Sequence, residues 1–172
     1  MKNIFPKTSI FILGLALLFS QKVNAQNDFP YEGPADLPVF TFQSVLGTTV
    51  TRETLVKTKP VIVIFFDPNC DHCQQQSTWI AGAIEKFANI NLLFVTWENK
   101  EETIKFAEKY FGAVKTKVAP GMLNFSLDTQ YKIDKWFGNS PVPSIHIYGK
   151  DWKHTQSFFN ETAIEELLKW AK

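Results

Sequence analysis

An unbroken apolar run, Val61-Ile62-Val63-Ile64-Phe65-Phe66, is followed by the loop Asp67-Pro68-Asn69 and then by Cys70-Asp71-His72-Cys73. Such a run of β-branched and aromatic residues is typical of a central strand that is buried on both faces of its sheet. After the loop, apolar residues recur at helical spacing and predict a helix that begins near Cys70: Ile80, Ala83, Ile84 and Phe87. The cysteines therefore lie where a buried strand gives way to a helix.

Strand and helix patterns alternate through the rest of the chain. We predict a strand at 39–42, a helical turn at 51–56, a strand at 91–97, a helix at 99–111, a strand at 122–127, a helix at 128–137, strands at 144–148 and 153–159, and a terminal helix after residue 162. This order indicates an α/β fold with a central mixed sheet flanked by helices, and the last two strands are close enough to form an antiparallel hairpin.

Two of these helices have more detailed signals. In 99–111, Ile104, Ala107 and Phe111 are spaced as an inward stripe, and Gly112 follows as a stop signal. Thr162 and Glu165 have the spacing of a capping box, which predicts the start of the terminal amphipathic helix.

The N-terminus has the pattern of a signal peptide. Lys2 and Lys7 precede an apolar run at 9–19 that is too short to span a bilayer, and Val23 and Ala25 form a small-x-small cleavage site. We expect residues 1–25 to be removed and no stable membrane span to remain, with an uncleaved anchor as the alternative. Residues 26–37 are rich in Pro, Gly and acids and are expected to be a flexible N-terminal segment. Residues 38–172 then form one domain.

The charge balance excludes some classes of partner. The chain has 18 basic and 17 acidic residues, and the predicted leader removes only lysines, so the mature protein is slightly acidic. No run of adjacent basic residues is present, so neither a nucleic acid nor a membrane surface is indicated as a partner.

The chain has only two cysteines, Cys70 and Cys73. A bridge between them would close a very small loop and restrict the unfolded chain little, so a structural staple explains them poorly. A helix N-terminus stabilises anions, which favours the thiolate of Cys70 as an exposed nucleophile, and Cys73 lies within disulfide reach one turn later. A zinc half-site is the alternative, but it would need further ligands, and the other histidines, His146 and His154, lie on predicted strands.

These features resemble the thioredoxin-like superfamily and, within it, the exported TlpA/ResA-type branch of bacterial thiol-disulfide oxidoreductases. The resemblance covers 38–172 and includes an N-terminal strand extension, LPVFTFQSVLGTTVT, that this branch has and plain thioredoxin lacks. Val142-Pro143-Ser144, directly before a predicted strand, is similar to the cis-proline loop of the family. The resemblance implies that Pro143 is cis, that Val142 faces the disulfide and that both bind substrate backbone. An ordinary trans-proline loop is the alternative.

The chain departs from the family at several positions. Asn69 stands where the family usually has Trp before the first cysteine, and Ile64 where thioredoxins have a buried acid. Gln76 stands where TlpA/ResA-like chains often have Glu, so no proton acceptor for the resolving thiol is evident. Asp67 is a nearby carboxylate, but a turn residue is its simpler role. His72, between the cysteines, can stabilise the Cys70 thiolate and raise the reduction potential.

We therefore expect an extracytoplasmic thiol-disulfide oxidoreductase in which Cys70 attacks, Cys73 resolves and His72 tunes the couple. Its expected partners are protein dithiols or disulfides and an upstream redox partner that supplies electrons, so no bound cofactor or metal is needed. The alternatives are a copper-handling SCO-like chaperone, although that family has three residues between its cysteines, a redoxin-type peroxidase, and a non-catalytic binding module.

Overall fold

The computed structural model describes residues 33–172, so the predicted signal peptide and residues 26–32 of the lead-in lie outside the described residues. The described chain forms one sheet with strand order β2-β1-β5-β4-β3-β6-β7. The strands are β1 (Thr41–Ser44), β2 (Thr49–Thr51), β3 (Val61–Phe65), β4 (Asn91–Thr96), β5 (Leu123–Leu127), β6 (Ser144–Tyr148) and β7 (His154–Phe158). The helices are α1 (Asp71–Gly82), α2 (Lys100–Phe111), α3 (Lys132–Phe137) and α4 (Ile164–Trp170).

The sheet is mixed, as the sequence predicts. Strands β3, β4 and β5 run parallel in the centre, while β6 pairs antiparallel with β3 and β7 pairs antiparallel with β6. On the other side, β1 is antiparallel to β5, and β2 is antiparallel to β1. The carboxyl ends of β3, β4 and β5 therefore meet at one edge of the sheet, and the Cys70 loop follows β3 there.

Strand β3 consists of apolar residues throughout because helices or chain segments cover both faces of the sheet. Ile62 and Ile64 lie in one hydrophobic cluster with residues from α1, α2 and α4. Val61, Val63 and Phe65 lie in a second cluster with residues from α3 and from the segment before β1. All five residues of β3 are buried. The two clusters fix the end of β3, and with it the start of the Cys70 loop.

The predicted helix after Cys70 is shorter than its apolar pattern suggests. Helix α1 ends at Gly82, and a separate 3-10 turn runs from Ile84 to Phe87. The Ala83 backbone N–H is shared among the carbonyls of Trp79, Ile80 and Ala81, which closes the last turn. The inward residues Ile80, Ile84 and Phe87 are nevertheless buried, because the tighter turn continues along the same side of the sheet.

The predicted inward stripe of α2 is wrong at Ile104, while Phe111 is buried and Ala107 packs against the first hydrophobic cluster as predicted. Ile104 is 38% exposed, whereas Thr103, Phe106 and Phe111 are buried. The Phe106 ring packs 4.7 Å from the ring of Phe66, and this contact sets the inward face of the helix. The polar side chain of Thr103 can be buried at low cost because its hydroxyl donates to the Asn99 carbonyl at 2.8 Å.

The packed domain begins before residue 38, contrary to the predicted boundary. Leu37 is 1% exposed and its N–H donates to the Trp152 carbonyl. Asp36 forms a β-bridge with Lys153, and the Ala35 carbonyl accepts from the His154 N–H. The Pro- and Gly-rich composition of 26–37 suggested a flexible segment, but the backbone of residues 35–37 is tied to the β6–β7 hairpin.

Two local predictions near the chain ends also change. The first strand is β1 at Thr41–Ser44 rather than 39–42, and β2 was not predicted because it is only three residues long. At the other end, Ala163 and not Thr162 caps α4. The Thr162 hydroxyl donates to the Asn160 carbonyl instead, so the capping box of Thr162 and Glu165 does not form.

Candidate functional site

Cys70 lies at the N-cap of α1, at the end of the segment Asp67–Cys70, which we call the first loop. The Cys70 N–H donates to the Asp67 carbonyl at 3.1 Å, and the Asp67 carboxylate accepts from the Asn69 N–H at 2.8 Å. The Cys70 carbonyl then accepts from the Gln74 N–H at 3.0 Å and starts the helix. These short-range contacts hold a half-exposed thiol at the open end of a helix, as the sequence predicts.

Cys73, one turn further along α1, has a different environment. It is 1% exposed, and both cysteines are free thiols in this structure. Burial raises the pKa of the Cys73 thiol far above its usual range, and the adjacent Cys70 thiol adds to the increase, while the Asp67 backbone N–H opposes it. Cys73 is therefore protonated and shielded, whereas Cys70 is the accessible thiol.

A second segment, Val142–Ser144, which we call the second loop, lies against Cys70. The Val142–Pro143 peptide bond is cis. The Cys70 thiol donates to the Val142 carbonyl at an Sγ–O distance of 3.6 Å, across 72 positions of sequence. Val142 also packs against both hydrophobic clusters. The structure thus brings Cys70 into contact with Val142, one of the two predicted substrate-binding residues, and Pro143 follows it in the chain.

His72 has a partner that sequence reasoning missed. Its Nδ1 lies 2.9 Å from the carboxylate of Glu161, which belongs to the segment between β7 and α4. The hydrogen bond from His72 is the main reason that the pKa of Glu161 is lowered. His72 is 62% exposed. No local pattern could have indicated Glu161, because it is 89 positions away in the sequence.

Gln76 links α1 to the same segment. It is 1% exposed, and its Oε1 accepts from the Thr162 N–H at 2.6 Å. Its Nε2 has no hydrogen-bond partner among the described residues. A carboxamide is not basic enough to take a proton from a thiol, so Gln76 does not replace the glutamate of the family as a proton acceptor for Cys73.

The residue before Cys70 borders an open space. Asn69 and Pro68 line a cavity of about 180 Å³ between the first loop and α2, together with Gln74, Phe106 and Tyr110. Gln74 crosses it, donating to the Pro68 carbonyl at 3.0 Å and accepting from the Tyr110 hydroxyl at 2.9 Å. A larger aromatic side chain in place of Asn69 would face this space.

The remaining histidines contact serines. His146 and His154 both lie 2.8 Å from the Ser157 hydroxyl, and the second ring nitrogen of His146 lies 3.1 Å from the Ser144 hydroxyl. Within residues 33–172, no group of three or more His, Cys, Asp and Glu side chains is placed to hold a metal ion.

A mixed sheet with a Cys-x-x-Cys helix start facing a proline loop defines a thioredoxin-like protein. The chain belongs to the AhpC/TSA family, whose model matches residues 35–151. No curated protein sequence matches the chain.

Solved structures share the fold at low sequence identity. The chain is similar to dsbF of Mycobacterium tuberculosis, with 20% identity and a TM-score of 0.65 over 81% of this chain and 96% of that one. It is also similar to a secreted disulfide oxidoreductase of M. tuberculosis homologous to E. coli DsbE, with 18% identity, a TM-score of 0.61, and 77% and 93% coverage. The peroxidoxin BcpB of M. tuberculosis matches at 15% identity and a TM-score of 0.63, with 82% and 96% coverage.

Across residues 33–172, the structure contains no helix with the length and apolar character needed to cross a membrane.

Proposed function

We propose that this protein is a thiol-disulfide oxidoreductase that exchanges its Cys70–Cys73 couple with protein substrates. The observation that carries the proposal is the asymmetry of the two thiols. Cys70 is half-exposed at a helix N-terminus and bonded to the Val142 carbonyl, while Cys73 is buried one turn behind it. One thiol is placed to attack an external disulfide, and the other can be reached only from within the protein.

The reaction balances as a two-step exchange. The Cys70 thiolate attacks one sulfur of a substrate disulfide, which forms a mixed disulfide and releases the other substrate sulfur as a thiolate. Cys73 then gives up its proton and attacks the Cys70 sulfur, which forms the Cys70–Cys73 disulfide and releases the second substrate thiol. Two electrons pass from the protein to the substrate, and an upstream dithiol returns them. No bound cofactor is needed.

Val142 and Pro143 are the proposed substrate-binding residues. The Val142 carbonyl already accepts a hydrogen bond from Cys70, so a substrate backbone alongside the second loop would bring its cysteine to the reactive sulfur. Backbone hydrogen bonds of this kind suit many sequences, which fits a protein that acts on protein thiols in general.

His72 is the proposed tuning residue, with Glu161 as a modifier. A protonated His72 beside the first turn of α1 would favour the Cys70 thiolate. The Glu161 carboxylate, 2.9 Å from the imidazole, offsets part of that charge. We therefore assign His72 a smaller effect on the couple than an unpaired imidazolium would have.

The proposed compartment is extracytoplasmic. The proposal rests on the predicted leader at residues 1–25 and on the similarity to a relative described as secreted. Expression of the full chain in a bacterial host, followed by fractionation and N-terminal sequencing, should find a mature protein that begins at Gln26 outside the cytoplasm. A cytoplasmic protein that retains Met1 would contradict this assignment.

Trapping of the intermediate tests the exchange reaction. Cys73→Ser should accumulate a mixed disulfide with substrate proteins, because the resolving thiol is missing. Cys70→Ser should form no such adduct and lose exchange activity. Equal trapping by both variants, or none by Cys73→Ser, would refute the assignment of roles.

A thiol peroxidase is the second candidate, favoured by the AhpC/TSA match and by the similarity to the peroxidoxin BcpB. In that reaction the Cys70 thiolate would attack hydrogen peroxide and break its O–O bond, which forms a Cys70 sulfenic acid and releases hydroxide that is protonated to water. Cys73 would then attack the sulfenic acid, which forms the Cys70–Cys73 disulfide and releases a second water. Hydrogen peroxide should then oxidise the reduced protein at least as fast as a peptide disulfide does. A much slower reaction with peroxide would exclude this candidate.

A further inference from the structure

A buried histidine lies two residues from the second loop. His146, in the middle of β6, is 0% exposed, and so is Ser144, the first residue of the strand and the one that follows Pro143. An imidazole is costly to bury unless its nitrogens are hydrogen-bonded. The reaction proposed above does not use His146, so its place in the core calls for another explanation.

Both ring nitrogens of His146 are engaged. Nε2 lies 3.1 Å from the Ser144 hydroxyl, and Nδ1 lies 2.8 Å from the Ser157 hydroxyl on the neighbouring strand β7. The ring stacks on Phe137 at the end of α3, with the centroids 3.4 Å apart and an interplanar angle of 8°. The imidazole is therefore held by a strand on one side and a helix on another, and it holds Ser144 in turn.

Apart from the bond from the Cys70 thiol to the Val142 carbonyl, the other described hydrogen bonds of the chain between α3 and β6 are local. The Ser140 N–H donates to the Gly138 carbonyl, and the Ser140 hydroxyl donates to the Phe137 carbonyl. At the far end, Ser144 is paired with Phe65 of β3. Besides the Cys70 bond to Val142, the Ser144 side chain is thus a second point where a hydrogen bond, rather than strand pairing, ties the second loop to the core.

We propose that His146 is a positioning residue for substrate docking. Through Ser144 it fixes the second loop so that the Val142 carbonyl stays where it meets Cys70 and an incoming substrate backbone. The inference deepens the proposed function and rests on it, since it assumes that peptides dock on Val142 and Pro143. A histidine that only fills the core would support stability but not docking.

The test compares a substrate that would dock on the second loop with one that would not. The substrates are a peptide with an intramolecular disulfide and bis(2-hydroxyethyl) disulfide, which has no peptide backbone. His146→Phe retains an aromatic ring that can stack on Phe137 but makes no hydrogen bond to Ser144. We expect its half-saturating peptide concentration to rise about tenfold, the effect of losing the one buried hydrogen bond that reaches the second loop, while the rate with the small disulfide stays within about twofold.

Thr155→Val is the matched control. Thr155 lies on β7, the strand of the His146 partner Ser157, and its hydroxyl donates to the Ile147 and Trp170 carbonyls. The change therefore removes hydrogen bonds between β7 and its neighbours but leaves the Ser144 hydrogen bond in place. Thr155→Val should leave both the half-saturating peptide concentration and the rate with the small disulfide unchanged. The proposal would be overturned if His146→Phe lost activity equally with both disulfides, or if Thr155→Val weakened peptide binding as much as His146→Phe does. Either result would show that His146 has only a structural role.

Ser144→Ala keeps the test decisive if His146→Phe fails to fold. This substitution removes the Ser144 hydroxyl and with it the hydrogen bond to His146. It should raise the half-saturating peptide concentration severalfold without changing the rate with the small disulfide. An unchanged value would overturn the proposal. Failure of the wild-type protein to react with any disulfide would instead refute the proposed function, so the two failures are distinguishable.

Discussion

The two loops that meet at Cys70 are held in different ways. The first loop is tied by contacts within a few residues, such as those from Asp67 to Asn69 and Cys70. The second loop is tied by tertiary partners, Cys70 on one side and, through the adjoining His146, Ser157 of β7 on the other. The exposed thiol is therefore positioned by local structure, and the surface proposed to present a substrate to it is positioned by tertiary structure.

The largest expected effect comes from removing the support of the first loop. Phe66 directly precedes the loop, is 1% exposed and packs against the rings of Phe94, Phe106 and Phe125. Phe66→Ala should lower the free energy of unfolding by about 3–5 kcal/mol, because it leaves a cavity among these rings. Urea denaturation measures the change. Leu46→Ala, at a side chain that is 85% exposed, is the control and should stay within about 0.5 kcal/mol of the wild type.

Acid should weaken the support of the second loop. Burial, with the neighbouring His154 adding repulsion, lowers the pKa of His146 from 6.5 to about 3. Between these values the unfolded chain takes up a proton that the native protein excludes, so stability should fall by about 1.4 kcal/mol for each pH unit below 6.5. Urea denaturation from pH 7 to pH 4 should show this slope. His146→Phe should lose the contribution of His146 to this slope, and an identical slope in both proteins would contradict the prediction.

Alkali should act on the thiol beneath the first loop. Burial raises the pKa of Cys73 above the value of 9.0 expected in the unfolded chain. As the pH rises past 9.0, the unfolded thiol ionises and the native one does not, so stability should fall at up to about 1.4 kcal/mol per pH unit. Comparing Cys73→Ala with the wild type isolates this contribution, since the other groups titrate in both. A wild type that loses no more stability than the variant would count against a buried, neutral Cys73.

The smallest expected effect is at the pair that joins the first turn of α1 to the segment before α4. His72 is largely solvent-exposed, so Glu161→Gln should change stability by less than about 1 kcal/mol. Because the pKa of Glu161 is lowered in the native protein, this contribution is present at neutral pH and is lost as the pH falls through the carboxylate range. Thermal unfolding at pH 7 and pH 3 measures it. A larger loss would mean that the pair fixes the position of α4.

The same contrast explains what the sequence could predict. The central strand, the first loop and the placement of Cys70 follow from apolar runs and short-range turn chemistry, and the structure contains them. The inward face of α2 could be predicted only in part, because at its first turn a threonine with a satisfied hydroxyl, Thr103, faces the core instead of Ile104.

Glu161 and His146 were also beyond reach from the sequence. Glu161 meets His72 across 89 positions, and His146 depends on a serine of a neighbouring strand. Their partners are chosen by the sheet order and by the path of the chain before α4, neither of which has a local signature. The resemblance pointed to Val142 and Pro143, but it carried no information about what holds them.

The hairpin of β1 and β2 has a consequence for self-assembly. Without it, β5 would end the sheet with a row of unpaired N–H and C=O groups, which can template pairing with another chain. Strand β1 covers part of that row, and the new outer strand, Thr49–Thr51, is only three residues long before the chain turns away. This border offers a second molecule too little backbone to extend, so the fold limits fibrillar association at this edge through strand length alone.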